Sequence, residues 1–229
     1  MTDEGMEPEA APSTLGLEPE TGAAPHPVPW ENPEISRLSC LFRTLGQVLF
    51  HPGAFFRAMP REGWAEALAF GLITGSAGVL ALLYWQLLFY QGLRTVGGMS
   101  AISRLYSLAE GATLAMMVLA PGVVLGNLAF STLGLWAAVG LTGGPWSVFA
   151  QVWRITCYAQ GAMVAGIIPI LGGPAAGLWN LILYYQGLRG SLEMSSWRAI
   201  GVLFLSMLLQ GLLALLLLGS LWSLRFLRD

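Results

Sequence analysis

The sequence contains very little charge. Only 10% of its 229 residues are charged, and all eleven basic residues are arginine, with no lysine. An ordinary soluble domain carries about 25% charged residues. The chain is instead 55% hydrophobic with a mean hydropathy of +0.64. This composition excludes an ordinary soluble domain and predicts an integral membrane protein, and the absence of lysine is typical of a GC-rich bacterial genome. We therefore expect a bacterial inner-membrane location.

Metal ligands and catalytic bases are also scarce. The chain has two cysteines, Cys40 and Cys157, and two histidines, His26 and His51, none at a spacing typical of zinc ligands. We expect no metal site, no disulfide framework and no cofactor. No histidine lies in a hydrophobic segment, so a serine there would lack its base. The sequence therefore predicts a protein that is not an enzyme.

The N-terminal residues 1–34 differ from the rest of the chain. They hold eight acidic residues, seven prolines and no basic residue. With few large apolar side chains, such a segment cannot offset its conformational entropy, so we expect a disordered acidic, Pro-rich tail. It is either a docking segment for a basic partner or a solvated extension, and its composition favours the second.

Residues 35–59 have the pattern of an amphipathic helix. Leu38, Phe42, Leu45 and Leu49 recur at helical spacing, with arginines largely on other faces. The segment is too polar to span a membrane, so we expect it to lie in the interface, with its apolar face toward acyl chains and its arginines near anionic head groups. His51-Pro52 should end the helix, and Phe55 and Phe56 should continue the apolar contact.

Residues 60–229 contain five hydrophobic segments. They predict an all-α membrane protein with five transmembrane helices across the ~30 Å hydrocarbon layer. The fourth segment is short, so we expect it to tilt, to thin the bilayer or to be re-entrant. Arginines are more frequent on the side that carries the N-terminus, which places the N-terminus in the cytoplasm. The segments are about 65–91, 121–141, 148–171, 175–188 and 202–218.

The third and fourth segments are predicted to form a hairpin between Arg154 and Arg189, with no charged residue between them. Pro169 and the sequence Gly172-Gly173-Pro174 predict the turn. Whether the hairpin spans fully or is re-entrant stays open. Arg154 would cost about 3 kcal/mol at mid-membrane, so we expect it near the interface.

Polar residues in the hydrophobic segments have two interpretations. Gln160, Asn180 and Gln210 are expected to form hydrogen bonds between helices, worth about 0.6–2 kcal/mol each. The alternative is a polar path around the hairpin, as in a small transporter or channel.

Several short motifs, in order, resemble the Yip1 domain family. They run from Phe42-Arg43 through Pro52 and Phe55-Phe56 to Arg154, Tyr158, Pro169 and Gly172, and the resemblance covers about residues 37–220. It implies a five-helix membrane protein with a cytosolic N-terminus and no catalytic residues. Eukaryotic members are linked to Rab GTPases and early secretory membranes, whereas bacterial members have no settled function.

The resulting functional prediction is a non-enzymatic membrane protein, a scaffold or adaptor that organises membrane or partner proteins. Membrane lipids are its expected partners, whereas a membrane or cytosolic protein bound through the tail and a homo-oligomer stay open; nothing predicts nucleic-acid binding. The candidate structural and interaction residues are Arg43, Pro52, Phe55, Phe56, Arg154, Tyr158, Gln160, Pro169, Gly172, Gly173 and Asn180.

Overall fold

The structure, a computed structural model, describes residues 28–32, 36–96 and 100–226. Every element in these ranges is helical, which confirms the all-α prediction. The α-helices are α1 (Arg37–Phe50), α2 (Pro52–Ala58), α3 (Ala65–Val96), α4 (Ser100–Val118), α5 (Ala120–Leu141), α6 (Phe149–Ala159), α7 (Gly172–Ser191) and α8 (Ser196–Phe226). Three 3₁₀ helices complete the set: an N-terminal turn (Pro29–Glu31), Trp146–Val148 and a longer 3₁₀ segment (Gln160–Ile167).

Three helices in the described ranges are long and apolar enough to cross a membrane. They are Ala65–Leu93 in α3, Ala120–Leu141 in α5 and Ser196–Ser220 in α8. These contain the predicted segments 65–91, 121–141 and 202–218. The chain is therefore a membrane protein with at least three apolar helices of spanning length.

The predicted segment 148–171 is not one continuous α-helix. It consists of α6 followed by the 3₁₀ segment, which packs between α3 and α7. Glycine contacts show how close this packing is: a Cβ at Gly78 would lie 2.1 Å from the carbonyl oxygen of Met163. At about 1.5 Å per α-helical and 2.0 Å per 3₁₀ residue, the two pieces together extend about 32 Å.

The hairpin turn lies at Pro169, one of the two predicted positions, and does not include Gly172-Gly173-Pro174. The chain reverses at residues 168–171, where Ile170 has a φ of 63°, and α7 begins at Gly172. Gly172 and Gly173 are thus not the turn but the first residues of a helix. A Cβ at Gly172 would lie 2.4 Å from the carbonyl oxygen of Ala165, so glycine is needed there for close packing. Pro174 is tolerated because the first helical turn needs no donor at that position.

The prediction that the apolar face of α1 and α2 contacts only lipid is wrong, because part of this face packs against the protein. In α1, Cys40, Thr44 and Val48 are buried against the protein, whereas Leu38 and Phe42 are exposed. The break at His51-Pro52 is confirmed, since α1 ends at Phe50 and α2 begins at Pro52. Phe55 and Phe56 do not face outward; both lie in the core. Arg43 is exposed, as expected for the polar face.

The predicted boundary of the N-terminal tail at residue 34 also differs from the structure. Val28 is fully buried and Trp30 is 6% exposed. The Trp30 backbone N–H donates to Thr44 Oγ1 at 2.9 Å, and its indole N–H donates to the Glu66 carbonyl at 2.7 Å. Residues 28–32 are therefore part of the folded body. Residues 1–27, for which disorder is also predicted, lie outside the described residues.

The glycines of α3 provide the first testable prediction. Replacing Gly78 with alanine would place a methyl group against the Met163 backbone, whereas a Cβ at Gly126 in α5 meets nothing within 4 Å. We expect Gly78→Ala to lower the free energy of unfolding by about 1–3 kcal/mol, as overpacking does. The control Gly126→Ala should be neutral or stabilising by up to ~1 kcal/mol. Reversible unfolding in detergent measures both, and equal effects of the two changes would contradict the described packing.

Candidate functional site

The most unusual group in the bundle is the guanidinium of Arg154. This residue lies in the middle of α6, and its side chain is 0% exposed. Tyr158 lies one helical turn later on the same face, because residues four apart in an α-helix are neighbours. The guanidinium carbon is 5.7 Å from the centre of the Tyr158 ring. The sequence therefore presents a charge and a phenol together to one side of α6.

Arg154 contacts two other parts of the chain. Its Nη1 donates to the backbone carbonyls of Glu62, at 2.7 Å, and Gly63, in the loop before α3. Its Nη2 donates to Glu31 Oε1 in the N-terminal turn, forming an ion pair. Gly63 suits this loop because its φ is 85° and a Cβ there would lie only 3.1 Å from Nη1.

Glu31 is shared between the two side chains of α6. The same Oε1 that pairs with Arg154 accepts a hydrogen bond from the Tyr158 hydroxyl at 2.6 Å. The Glu31 side chain is 14% exposed, so the carboxylate has exchanged most of its contact with solvent for these partners. We call Glu31, Arg154 and Tyr158 the buried arginine cluster.

Aromatic rings surround the buried arginine cluster. Phe55 packs edge-on against Tyr158 with ring centres 5.1 Å apart, and Phe70 lies at the same distance from it. Trp30 in turn packs edge-on against Phe70 at 6.2 Å. In such an apolar environment an ion pair contributes little net stability, but loss of one partner leaves an uncompensated charge. The cluster therefore fixes the position of three segments: the N-terminal turn, the loop before α3, and α6.

The structure brings only some of the predicted site residues together. Phe55, Phe56 and Tyr158 belong to one buried cluster, and Arg154 lies over the Tyr158 ring. Pro52 begins the helix that carries both phenylalanines. Gly172 and Gly173 lie at the start of α7, and Pro169 lies in the exposed turn before it. Arg43 lies on the exposed face of α1. The sequence prediction missed Glu31 and Trp30.

Two of the three polar residues of the alternative prediction, Gln160 and Gln210, lie apart. A Cβ at Gly75 would contact Val124 of α5 and Gln160, whereas Gln210 packs against Gly134, ten residues further along α5. At 1.5 Å per residue these positions are about 15 Å apart. Gln160 and Asn180 were expected to form hydrogen bonds between helices. Among the described residues, Gln160 Nε2 and Asn180 Oδ1 are buried and have no hydrogen-bond partner.

A family comparison covers most of the chain. The model of the Yip1 domain matches residues 46–218, three-quarters of the chain. The chain belongs to the Yip1 domain family. No match was found among curated proteins or among solved structures.

The Yip1 match includes only part of the buried arginine cluster. Arg154 and Tyr158 lie within the matched residues, whereas Glu31 precedes them. In this Yip1 protein, the N-terminal turn lies outside the matched residues and supplies the Glu31 carboxylate that pairs with Arg154 inside them. The two ends of the pair are 123 residues apart in sequence.

The buried arginine cluster gives a second prediction. Glu31→Gln and Arg154→Met should each lower the free energy of unfolding by about 3–5 kcal/mol, because each leaves a buried polar or charged group without its partner. The double variant should lose less than the sum of the two, and a double-mutant cycle in detergent measures this coupling.

An exposed ion pair is the matched control. Glu193 lies 3.5 Å from Arg61, with side-chain exposures of 79% and 72%. Glu193→Gln should therefore change stability by less than about 1 kcal/mol. Strict additivity of the Glu31 and Arg154 changes, or a loss no larger than that of the control, would show that the cluster does not hold the fold.

Proposed function

We propose that this Yip1 protein is a non-enzymatic membrane scaffold that presents its acidic N-terminal segment from a fixed point on a helical bundle. The observation that carries the proposal is the docking of Trp30 and Glu31 into the core. Residues 1–27 hold six acidic residues and no basic residue. Because residues 28–32 are docked on the bundle, the segment before them is attached at one defined place and suits a basic surface of a membrane or cytosolic partner.

Five membrane crossings, with the N-terminus in the cytoplasm of a bacterial cell, complete the proposal. The α6–3₁₀ unit is about 32 Å long and α7 about 30 Å, so both are long enough to cross the ~30 Å hydrocarbon layer, as α3, α5 and α8 are. One end of the bundle, which we call the arginine end, carries Arg57 in α2, Arg61 in the loop before α3, Arg189 near the end of α7 and Arg198 near the start of α8. Helix α2 joins this end, since a Cβ at Gly190 would lie 3.1 Å from the Arg57 backbone nitrogen. An excess of arginine favours the cytoplasmic side.

The transporter alternative gains no support from the polar residues it would use. Gln160 lies beside Val124 and Gln210 beside Gly134, two positions of α5 that are ten residues apart. The scaffold proposal instead uses the features that distinguish this chain: a docked N-terminal turn and an acidic segment before it.

Partner capture with two truncations provides the third prediction. Deletion of residues 1–27 should abolish capture of a protein partner from native membranes while leaving thermal stability unchanged, because Trp30 and Glu31 remain. Deletion of residues 1–32 should lower stability as well, because it removes the carboxylate that pairs with Arg154. A partner retained by the first deletion would contradict the adaptor function.

Cysteine labelling tests the proposed topology. Both native cysteines are buried and form no disulfide, so they should react slowly, and a variant lacking both gives the background. Single cysteines are introduced at positions 57, 191 and 170 and treated with a membrane-impermeant maleimide. Those at 57 and 191 should be labelled from the cytoplasm, and that at 170, in the hairpin turn, from outside. Protection of position 170 from both sides would show a re-entrant hairpin instead.

A further inference from the structure

A polar cavity lies at the arginine end of the bundle. Its volume is about 770 Å³, within the range of small-ligand sites. The ends of α5 and α7 and the starts of α6 and α8 meet around it. Two arginines, Arg61 and Arg198, and two glutamates, Glu62 and Glu193, lie in its wall. The charges of these four side chains balance, so the cavity suits a ligand that carries both signs.

Its basic groups can bind a phosphate. Arg198 donates one hydrogen bond from Nη2 to the Thr142 carbonyl at 3.2 Å, and a guanidinium has five N–H donors. Arg61 forms only a long, solvent-exposed pair with Glu193 at 3.5 Å. Such exposed pairs are weak, so a phosphate can compete for this arginine and leave the glutamate for a cation.

An apolar groove adjoins the polar cavity. It has a volume of about 360 Å³ and is lined by Trp64, Phe149, Ala150 and Trp153. Ala150 lines both spaces, so they meet at this residue. A ligand that fills both must have a charged head and an apolar chain.

Tryptophans place these two spaces at the membrane surface. Trp64, Trp146 and Trp197 are exposed and lie beside the loops that form the cavity. Exposed tryptophans are enriched at the boundary between head groups and acyl chains. The cavity is thus at the depth where a lipid head group lies.

We propose that the cavity and groove form a binding site for a zwitterionic phospholipid with a primary ammonium, that is, a phosphatidylethanolamine. Arg61 and Arg198 bind the phosphate, Glu193 and Glu62 accept hydrogen bonds from the ammonium, and an acyl chain follows the groove past Ala150. The site goes beyond the scaffold function and does not depend on the acidic segment.

Native mass spectrometry of the full chain in detergent tests this site. The protein is titrated with phosphatidylethanolamine, phosphatidylcholine, phosphatidylglycerol and soluble phosphoethanolamine. We expect phosphatidylethanolamine to bind most tightly. The quaternary ammonium of phosphatidylcholine cannot donate hydrogen bonds, and the anionic head group of phosphatidylglycerol is repelled by the glutamates. Phosphoethanolamine lacks the acyl chain that fills the groove. Equal binding of all three lipids, or tighter binding of phosphatidylglycerol, would overturn the zwitterionic assignment. Equally tight binding of phosphoethanolamine would overturn the lipid assignment.

Three variants locate the bound lipid. Arg198→Gln should weaken phosphatidylethanolamine binding about tenfold, the effect of losing one charge-assisted contact, and Glu193→Gln should remove the preference over phosphatidylcholine. Ala150→Leu, which narrows the junction, should weaken lipid binding but not that of phosphoethanolamine. Arg189→Gln, an exposed arginine near the end of α7 that does not line the cavity, is the matched control and should have no effect. Wild-type lipid selectivity in all three site variants would overturn the proposal.

Discussion

A charge in an apolar bundle needs a partner, and Arg154 meets this requirement through residues distant in sequence. Its guanidinium is fully buried and binds Glu31 as well as the carbonyls of Glu62 and Gly63. Because an unpaired ion at this position would be costly, these contacts specify where the N-terminal turn and the loop before α3 must lie. The aromatic packing of Trp30, Phe55 and Phe70 then follows from the same arrangement.

Local patterns in the sequence predicted much of the fold. Long apolar runs predicted α3, α5 and α8, because the hydropathy of each segment can be read without knowledge of the others. His51-Pro52 predicted the break between α1 and α2, because proline ends a helix. The sequence did not predict where α7 begins. The glycines at 172 and 173 indicate a turn by their conformational freedom, but here both lie in the first turn of α7, and Gly172 allows close contact with the Ala165 carbonyl.

The contacts that are distant in sequence could not be predicted in this way. Glu31 was one of eight acids in a segment whose average composition indicates disorder, and no local signal separates it from the other seven. Its pairing depends on the position of Arg154, 123 residues later. Likewise, the amphipathic pattern of α1 and α2 identifies apolar faces but not what covers them, and the protein core covers Phe55 and Phe56.

The buried arginine cluster and the polar cavity are connected through the loop before α3. The Glu62 carbonyl accepts a hydrogen bond from Arg154, whereas the residue as a whole lines the cavity. The anchor of the N-terminal segment and the proposed lipid site therefore share one loop at the arginine end. The Yip1 match begins at residue 46, so in this chain the anchor precedes the matched residues, whereas Arg154 lies within them.

Hydrogen–deuterium exchange in a lipid nanodisc tests the central claim, that the Arg154 ion pair docks the N-terminal turn onto the bundle. In the wild-type protein, peptides covering residues 28–32 should be protected, since the Trp30 amide donates to Thr44 and the Glu31 and Asn32 amides donate to the Val28 and Pro29 carbonyls. In Arg154→Met these peptides should lose protection, while α5 and α8 remain protected. Exchange of residues 28–32 in the wild-type protein at the rate of an unstructured chain would contradict the account.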